Sequence, residues 1–423
     1  MECGLTQASL AEVCSLVTDG THDTPKRVPS GFPLIKAKEI VSGQIDFSSC
    51  DQISEVEHRK VIARSKPEFG DTLFTHIGAS LGAAAFVNTT REFSIKNIAL
   101  FKPNPGIIES RYLYYLVVSP DFQSLAIGTK TGSAQPFLGL SQLRGHRIQY
   151  HQSLAVQRSI AGILSAYDEL IENSQRRIKI LESMARALYR EWFVHLRFPG
   201  HETVPLVSSL LGEIPQGWEM KKLGGMSSYI NRGIMPRYDV EGGSVVINQK
   251  CIRDQRLSLD PARKQSKRIP AEKLIRFGDV LINSTGVGTL GRVAQVYETL
   301  ENCTVDTHVT IARASNDIDL DFFGCCLLSM QDSFERLGIG ATGQTELGRA
   351  AIADIDLVIP PKNLQRQFGE TVRGMRSAAV EYSKQIATLR RTRDLLLPRL
   401  LSGQIDVEAL PDLSAEGQGS CLD

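Results

Sequence analysis

The sequence has no apolar run long enough to cross a membrane. A membrane-spanning helix takes roughly 18 or more consecutive apolar residues, and no stretch of the 423 residues approaches that length. The first residues, Met1 to Thr6, also lack the basic and then apolar pattern of a secretory signal. We therefore expect a cytoplasmic protein.

Paired metal ligands are missing as well. The eight histidines are scattered, and no two of the eight cysteines are separated by two residues: Cys3, Cys14, Cys50, Cys251, Cys303, Cys325, Cys326 and Cys421. Zinc-ribbon, redox and His-x-x-x-His motifs are therefore absent. We expect free, mostly buried thiols, no metal site and no cofactor in this chain.

Common catalytic signatures are also lacking. The segment Gly286–Gly291 reads Gly-x-Gly-x-x-Gly, but a strand is predicted after it, whereas a dinucleotide site needs a helix whose N-terminus meets the pyrophosphate. Pro360 and Pro361 match only the two prolines of an amino-group DNA methyltransferase motif, so an extended turn is the favoured interpretation. No catalytic residue is predicted.

Neither sign of charge is in overall excess, since 48 basic residues face 47 acidic ones. Between Lys250 and Arg276, however, nine bases stand against three acids, a net charge of +6. Such a patch is either a solvated loop face or a contact for nucleic acid, and the second interpretation needs other support.

The chain repeats itself once. Phe69-Gly70-Asp71-Thr72-Leu73 returns as Phe277-Gly278-Asp279-Val280-Leu281 at an offset of 208. The stretch Gly31–Lys38 aligns with Gly243–Lys250 at 212, and Thr131-Gly132-Ser133 aligns with Thr342-Gly343-Gln344 at 211. This period exceeds the roughly 20 to 50 residues of solenoid repeats, so we infer duplication of a whole domain with its connector.

Each copy opens with short apolar runs broken by turn residues, which predicts strands. The predicted strands are 32–40, 71–75, 83–88 and 98–101 in the first copy and 280–283, 292–297 and 305–312 in the second, with helices at 111–118 and 320–330. The fold class is therefore α+β, with two mixed α/β domains. The glycines that follow the strands predict tight turns.

Each copy ends in a long stripe of the 3.5-residue period that is typical of a coiled-coil seam. The first stripe is Ile160, Leu164, Tyr167, Ile171, Ser174, Ile178, Leu181, Ala185, Leu188 and Trp192; adding 208 gives Phe368, Val372, Met375, Ala379, Tyr382, Ile386, Leu389, Arg393, Leu396 and Leu400. We expect two long antiparallel helices that form an intramolecular coiled coil with pseudo-two-fold symmetry. Pro398 should disturb or end the second helix in its last turn.

Several segments resemble the specificity subunits of type I restriction-modification systems. Glu213–Leu223 resembles the start of a target-recognition domain in that family, and Leu397–Asp406 and Ala187–Phe193 resemble the ends of its two helical regions. The Phe-Gly-Asp-x-Leu strands and the Thr-Gly segments before each helix also fit. The resemblance covers nearly the whole chain in the right order.

This resemblance implies a non-catalytic subunit whose two recognition domains each read one half of a split, asymmetric double-stranded DNA site. The helices would set the spacer and dock modification (methyltransferase) subunits that use S-adenosylmethionine, and a restriction subunit would cleave with ATP. Its implied organisation is a first target-recognition domain at 1–152, a first helical spacer at 153–199, a linker at 200–217, a second recognition domain at 218–361, a second helical spacer at 362–402 and a tail at 403–423.

We predict DNA contacts at strand ends and glycine-flanked turns in the repeat-matched segments. They are Lys36, Lys38, Thr75, His76, Ser80, Ser133 and Gln135 in the first copy, and Asn248, Gln249, Lys250, Asn283, Ser284, Thr289 and Arg292 in the second. Lys and Arg would contact phosphates, and the other side chains would read base edges.

Two other classes stay open at this point. One is a fused methyltransferase or nuclease. The other is a structural coiled-coil adaptor without sequence-specific DNA binding, in which the basic patch is incidental.

Overall fold

The computed structural model describes residues 4–130, 137–338 and 345–409. The chain divides into two compact units: unit 1 is Met1–Asn173 with Ile386–Asp423, and unit 2 is Ser174–Gln385. Each unit therefore combines a globular part with segments of two long helices.

Unit 1 contains eleven strands among its described residues. They are β1 (Leu5–Ser9), β2 (Cys14–Asp19), β3 (Arg27–Ile35), β4 (Ile40–Val41), β5 (Gln44–Ile45), β6 (Asp51–Ile53), β7 (Thr72–Phe74), β8 (Ala84–Phe86), β9 (Ser94–Ile95), β10 (Ala99–Pro103) and β11 (Arg147–His151). Its helices are α1 (Leu10–Val13), α2 (Glu55–Ser65), α3 (Ser110–Val118), α4 (Pro120–Lys130), α5 (Leu140–Gly145) and the first part of the long α6 (Leu154–Tyr189), with a 3-10 turn at Ala37–Glu39.

Unit 2 continues with thirteen strands among its described residues. They are β12 (Leu206–Ser209), β13 (Gly212–Pro215), β14 (Glu219–Lys222), β15 (Ser227–Arg232), β16 (Ser244–Ile247), β17 (Ile252–Arg253), β18 (Arg256–Leu257), β19 (Arg263–Gln265), β20 (Val280–Asn283), β21 (Val293–Gln295), β22 (Cys303–Val305), β23 (Val309–Ala314) and β24 (Asp356–Ile359). The remaining helices are α7 (Leu223–Met226), α8 (Leu320–Ser329), α9 (Gln331–Arg336), α10 (Arg349–Ala353) and the long α11 (Lys362–Leu401). A π turn at Arg190–Val194 follows α6, and 3-10 turns lie at His201–Thr203, Gln249–Cys251 and Ala271–Lys273.

The two units share one sheet topology. The four-stranded antiparallel sheet has the order β2-β10-β7-β8 in unit 1 and β15-β23-β20-β21 in unit 2. A three-stranded sheet, β6-β3-β9 or β19-β16-β22, combines one antiparallel and one parallel pairing in each unit. The pairs β1-β11 and β4-β5 likewise match β14-β24 and β17-β18. The α+β class and the internal duplication are confirmed.

The central sheet of each unit is buried on both faces. Leu73 and Phe74 of β7 enter two different core clusters, as alternation along a strand requires. Leu281 and Ile282 of β20 do the same in unit 2. These strands therefore appear in the sequence as continuous apolar runs rather than as alternating ones.

The two long helices run antiparallel within each unit. In unit 1, Asp168 Oδ1 lies 2.6 Å from Arg393 Nη1, and the His151 ring, just before α6, is bonded to the carbonyl of Leu400 at 3.0 Å. In unit 2, Arg177 donates to Tyr382 Oη at 3.0 Å, and Tyr189 packs against Phe368. Residue numbers rise along one helix as they fall along the other.

Every position of the two predicted stripes is buried or half-buried. The one charged member is Arg393, whose guanidinium bonds to Asp168, and the second oxygen of Asp168 accepts from Tyr115 Oη at 2.7 Å. A paired arginine is thus accommodated in an otherwise apolar seam. Pro398 lies in the last turn of α11, which ends at Leu401.

Turns interrupt two of the predicted strands. The run 305–312 is divided because Asp306 Oδ1 accepts the backbone N–H of His308 at 2.9 Å, which makes a turn between β22 and β23. The run 32–40 ends at Ile35 because the Glu39 carboxylate accepts the Lys36 backbone N–H at 3.0 Å and begins a 3-10 turn. Local hydrogen bonds between a side chain and the backbone thus interrupt both predicted strands.

The six described cysteines are all free, and five of them are buried. Burial raises the pKa of the Cys303 and Cys325 thiols to about 12. Within the described residues, no helix has both the length and the apolar character to cross a membrane. No group of three or more His, Cys, Asp or Glu there could hold a metal ion.

One glycine in each unit permits a close approach of two backbone segments. Gly20 follows β2 and Gly233 follows β15. A methyl group added at Gly20 would lie 2.1 Å from the carbonyl oxygen of Ile95, and one added at Gly233 would lie 1.7 Å from that of Val305. In each unit, the glycine joins the four-stranded sheet to the three-stranded one.

We expect Gly233→Ala to destabilise the protein by about 1–3 kcal/mol, because the clash is with backbone and forces it to move. The matched control is Gly243→Ala, where a methyl group meets no atom within 4 Å. Urea unfolding of both variants measures the difference. Equal unfolding midpoints would contradict the close approach seen at Gly233.

Candidate nucleic-acid interface

A tight turn joins β20 to β21 in unit 2. Gly286, Gly288 and Gly291 have φ of +104°, +69° and +78°, which favour glycine. The Gly-x-Gly-x-x-Gly segment therefore ends in a strand, and no helix N-terminus follows it to bind a pyrophosphate. Val287 lies between the first two glycines and is 82% exposed. The turn presents its own backbone and one apolar side chain to the solvent.

Hydrogen bonds from neighbouring elements hold this turn in place. Gln249 Nε2 donates to the carbonyl of Thr285 at 2.7 Å, and the His308 ring lies 2.8 Å from Thr285 Oγ1. Within the turn, Arg292 donates to the carbonyl of Gly288 at 2.8 Å. Two separate chain segments and a bond within the turn thus fix its conformation.

Further polar side chains gather beside the turn at the same end of the sheet. Arg232, at the end of β15, lies 2.7 Å from Glu346, and an isolated bridge pairs Glu346 with Thr285. Arg349 donates to Asn231 Oδ1 at 2.6 Å. Guanidinium and amide groups are among those that read base edges in the major groove of DNA.

Unit 1 carries different groups at the corresponding end of its sheet. Asp19, at the end of β2, is buried and accepts from Arg64, while His22 Nε2 lies 2.9 Å and His76 Nε2 3.9 Å from its carboxylate. Burial lowers the pKa of His76. The neutral ring is therefore favoured at this position.

The residues predicted in the second copy divide into internal and exposed ones. Asn283 and Ser284 are fully buried; Asn283 donates to the carbonyl of Gln249 at 3.1 Å, and Ser284 bonds to Thr310 at 2.6 Å. The half-buried members Asn248, Gln249, Thr289 and Arg292 each bond to a backbone carbonyl of a turn or loop. Lys250 is exposed.

The first copy shows the same division. Thr75 is fully buried and donates to the carbonyl of Ser80, and His76 is bonded to the carbonyl of Leu138 at 2.9 Å. Lys36 pairs with Asp51, and the exposed Lys38 lies 3.2 Å from Glu39. Ser133 and Gln135 lie outside the described residues.

Sequence reasoning missed the polar residues at the first strand of each central sheet. Asp19-Gly20 in unit 1 and Arg232-Gly233 in unit 2 align at an offset of 213, so the repeat itself contained the signal. Asn231, His308, Glu346 and Arg349 carried no spacing pattern. The topology alone brings them together.

Comparison with known proteins gives three findings. Residues 215–386 match the type I restriction modification DNA specificity domain. The chain is 28% identical, over 73% of its length and 72% of the relative's, to the type I restriction enzyme MjaIX specificity subunit of Methanocaldococcus jannaschii. It is 22% identical, over 85% and 91%, to the HindI specificity subunit of Haemophilus influenzae.

A solved structure shares the fold over the whole chain. The type I restriction-modification S subunit from M. genitalium superposes with a TM-score of 0.58 at 17% sequence identity, covering 95% of this chain and 96% of that one. The matched residues 215–386 lie almost entirely in unit 2. The chain is thus similar, in sequence and in fold, to the specificity subunits of type I restriction-modification systems.

The position of Gln249 gives a prediction that separates two roles. If the Gln249 side chain serves to hold the turn in place, Gln249→Ala should lower discrimination at all bases of one half-site, by roughly tenfold, because the whole turn loosens. A side chain that reads one base would affect one position only. Binding to a panel of single-base variants measures the pattern. Gln216→Ala, at an exposed position of unit 2 between β13 and β14, is the control and should leave the panel unchanged.

Proposed function

We propose that this chain is the DNA-reading subunit of a type I restriction-modification complex and that each unit reads one half of a bipartite site. The observation that carries the proposal is the shared sheet topology with different side chains at the same sheet end. Unit 1 offers Asp19, His22 and Arg64 there, whereas unit 2 offers Arg232 and Arg349. The same scaffold with different donors and acceptors suits two different DNA sequences.

We propose that the long helices set the length of the spacer between the two half-sites. The 36 residues of α6 rise about 54 Å, and the 40 residues of α11 about 60 Å. One turn of B-DNA rises about 34 Å, so this length is suited to a spacer of more than one turn. Two linked contacts strengthen each other only when the linker matches the distance between the sites. The spacer length thereby becomes part of the specificity.

We propose that the modification subunits dock on the long helices. Large apolar side chains stay exposed there, including Leu170, Ile180, Met184 and Leu395, which are between 48% and 61% exposed. Exposed apolar surface of this kind is typical of protein interaction sites. It supports assembly with a partner along the helices.

We further propose that methylation and cleavage lie in the partner subunits, which would use S-adenosylmethionine and ATP. This chain would need no cofactor of its own, because base reading requires only positioned donors and acceptors. We propose that the complex is cytoplasmic, because it must reach the DNA of the cell.

The spacer gives a direct test of the proposal. We expect that adding or removing two base pairs between the half-sites lowers specific affinity at least tenfold, because one contact is displaced by about 7 Å and rotated by about 70°. Fluorescence anisotropy with the assembled complex measures this. A duplex with both half-sites scrambled is the control. If all duplexes bind equally, the adaptor hypothesis replaces this one.

A further inference from the structure

The two units differ sharply in charge at one corresponding segment. Residues 250–276 of unit 2 carry nine bases and three acids, a net charge of +6. The corresponding residues 38–68 of unit 1 carry five bases and six acids, a net charge of −1. In each unit, the segment joins the three-stranded sheet to a central strand of the four-stranded sheet, which is β7 in unit 1 and β20 in unit 2. The repeat therefore conserves the position but not the charge.

All five bases of the unit 1 segment are paired with a carboxylate. Lys38 lies 3.2 Å from Glu39, Arg59 2.6 Å from Glu55, Lys60 2.8 Å from Glu57 and Lys66 3.3 Å from Glu68, while Arg64 pairs with Asp19. Two of the pairs join successive turns of α2. Little positive charge is left to attract a polyanion.

Only two of the nine bases in the unit 2 segment lie within 4 Å of a carboxylate, namely Arg256 and Arg253. Lys267 and Lys273 donate to backbone carbonyls, and Arg263 stacks over Tyr238 at 3.5 Å, contacts that leave their charge unneutralised. Lys250, Lys264, Arg268 and Arg276 are exposed. The structure describes every residue from 250 to 276, so the comparison with unit 1 includes all nine bases.

The backbone explains why the charges stay separate. Unit 1 folds its segment into α2, where residues three and four apart meet and form ion pairs. In unit 2, the residues after β19 form an irregular segment that contains the 3-10 turn Ala271–Lys273. Its basic side chains therefore lack the helical spacing that brings charges together in α2.

We propose that residues 250–276 form a binding surface for the phosphodiester backbone of double-stranded DNA and that unit 1 has no equivalent surface at 38–68. The inference rests on the proposed function and refines it. Unit 2 carries the larger share of the sequence-independent affinity of the chain. It captures DNA through charge, and unit 1 then adds mainly discrimination at its own half-site. Such capture is fast at low salt and weakens steeply as salt rises.

The test compares two matched pairs of exposed lysine and arginine substitutions in the full chain, assembled with its modification subunits. The unit 2 variant is Lys264→Ala with Arg268→Ala, and the unit 1 control is Arg59→Ala with Lys60→Ala. Affinity for a duplex without the recognition site is measured between about 50 and 200 mM salt. Each phosphate contact contributes about 0.9 to the slope of log affinity against log salt. We expect the unit 2 variant to lower the slope by about 1.8 and the control to lower it by less than about 0.5.

Equal changes of slope in both variants, or none in the unit 2 variant, would overturn the inference. Affinity for the duplex with the recognition site separates this result from failure of the proposed function. If wild-type complex prefers that duplex but the slopes change equally, the function stands and the asymmetry is wrong. Thermal unfolding of both variants, together with Lys264→Gln as a second substitution, shows whether any loss of slope comes from misfolding instead.

Discussion

Burial of the apolar stripes on α6 and α11 is the constraint on which the rest of the structure depends. The core of unit 1 is completed by Ile160 and Leu164 from one helix and by Leu397 and Leu400 from the other. The core of unit 2 is completed by Tyr189 and Trp192 with Phe368 and Val372. Neither globular part closes its core alone. The helices are therefore part of both folding units as well as a connection between them.

The same constraint explains how one duplicated sequence can read two DNA sequences. Sheet order, the glycine after β2 or β15 and the helix stripes are shared, because they determine packing. The polar side chains at the sheet ends lie outside the apolar core clusters and bear no such restriction. Asp19 in one unit and Arg232 in the other occupy matching places with opposite charge. Divergence can therefore be confined to positions where it changes recognition without changing the fold.

Much of the fold could be predicted from the sequence, because repeats and helical periodicity are properties of neighbouring residues. The stripe from Ile160 to Trp192 predicts the first long helix, and its copy predicts the antiparallel partner helix. The site was harder to predict. Asn283 and Ser284 sit at a strand end, as expected, yet tertiary packing buries them, while His308 and Arg349 come together only through the topology. Whether an individual polar residue faces solvent depends on contacts that are distant in sequence.

We propose that this chain determines which DNA sequence its complex modifies. The most direct measurement is a genome-wide map of methylated adenines in source cells with the gene intact and with it deleted. The account predicts that one bipartite motif with a fixed spacer is methylated in the first cells and unmethylated in the second. A bipartite methylation motif that persists after deletion in an active system would contradict it.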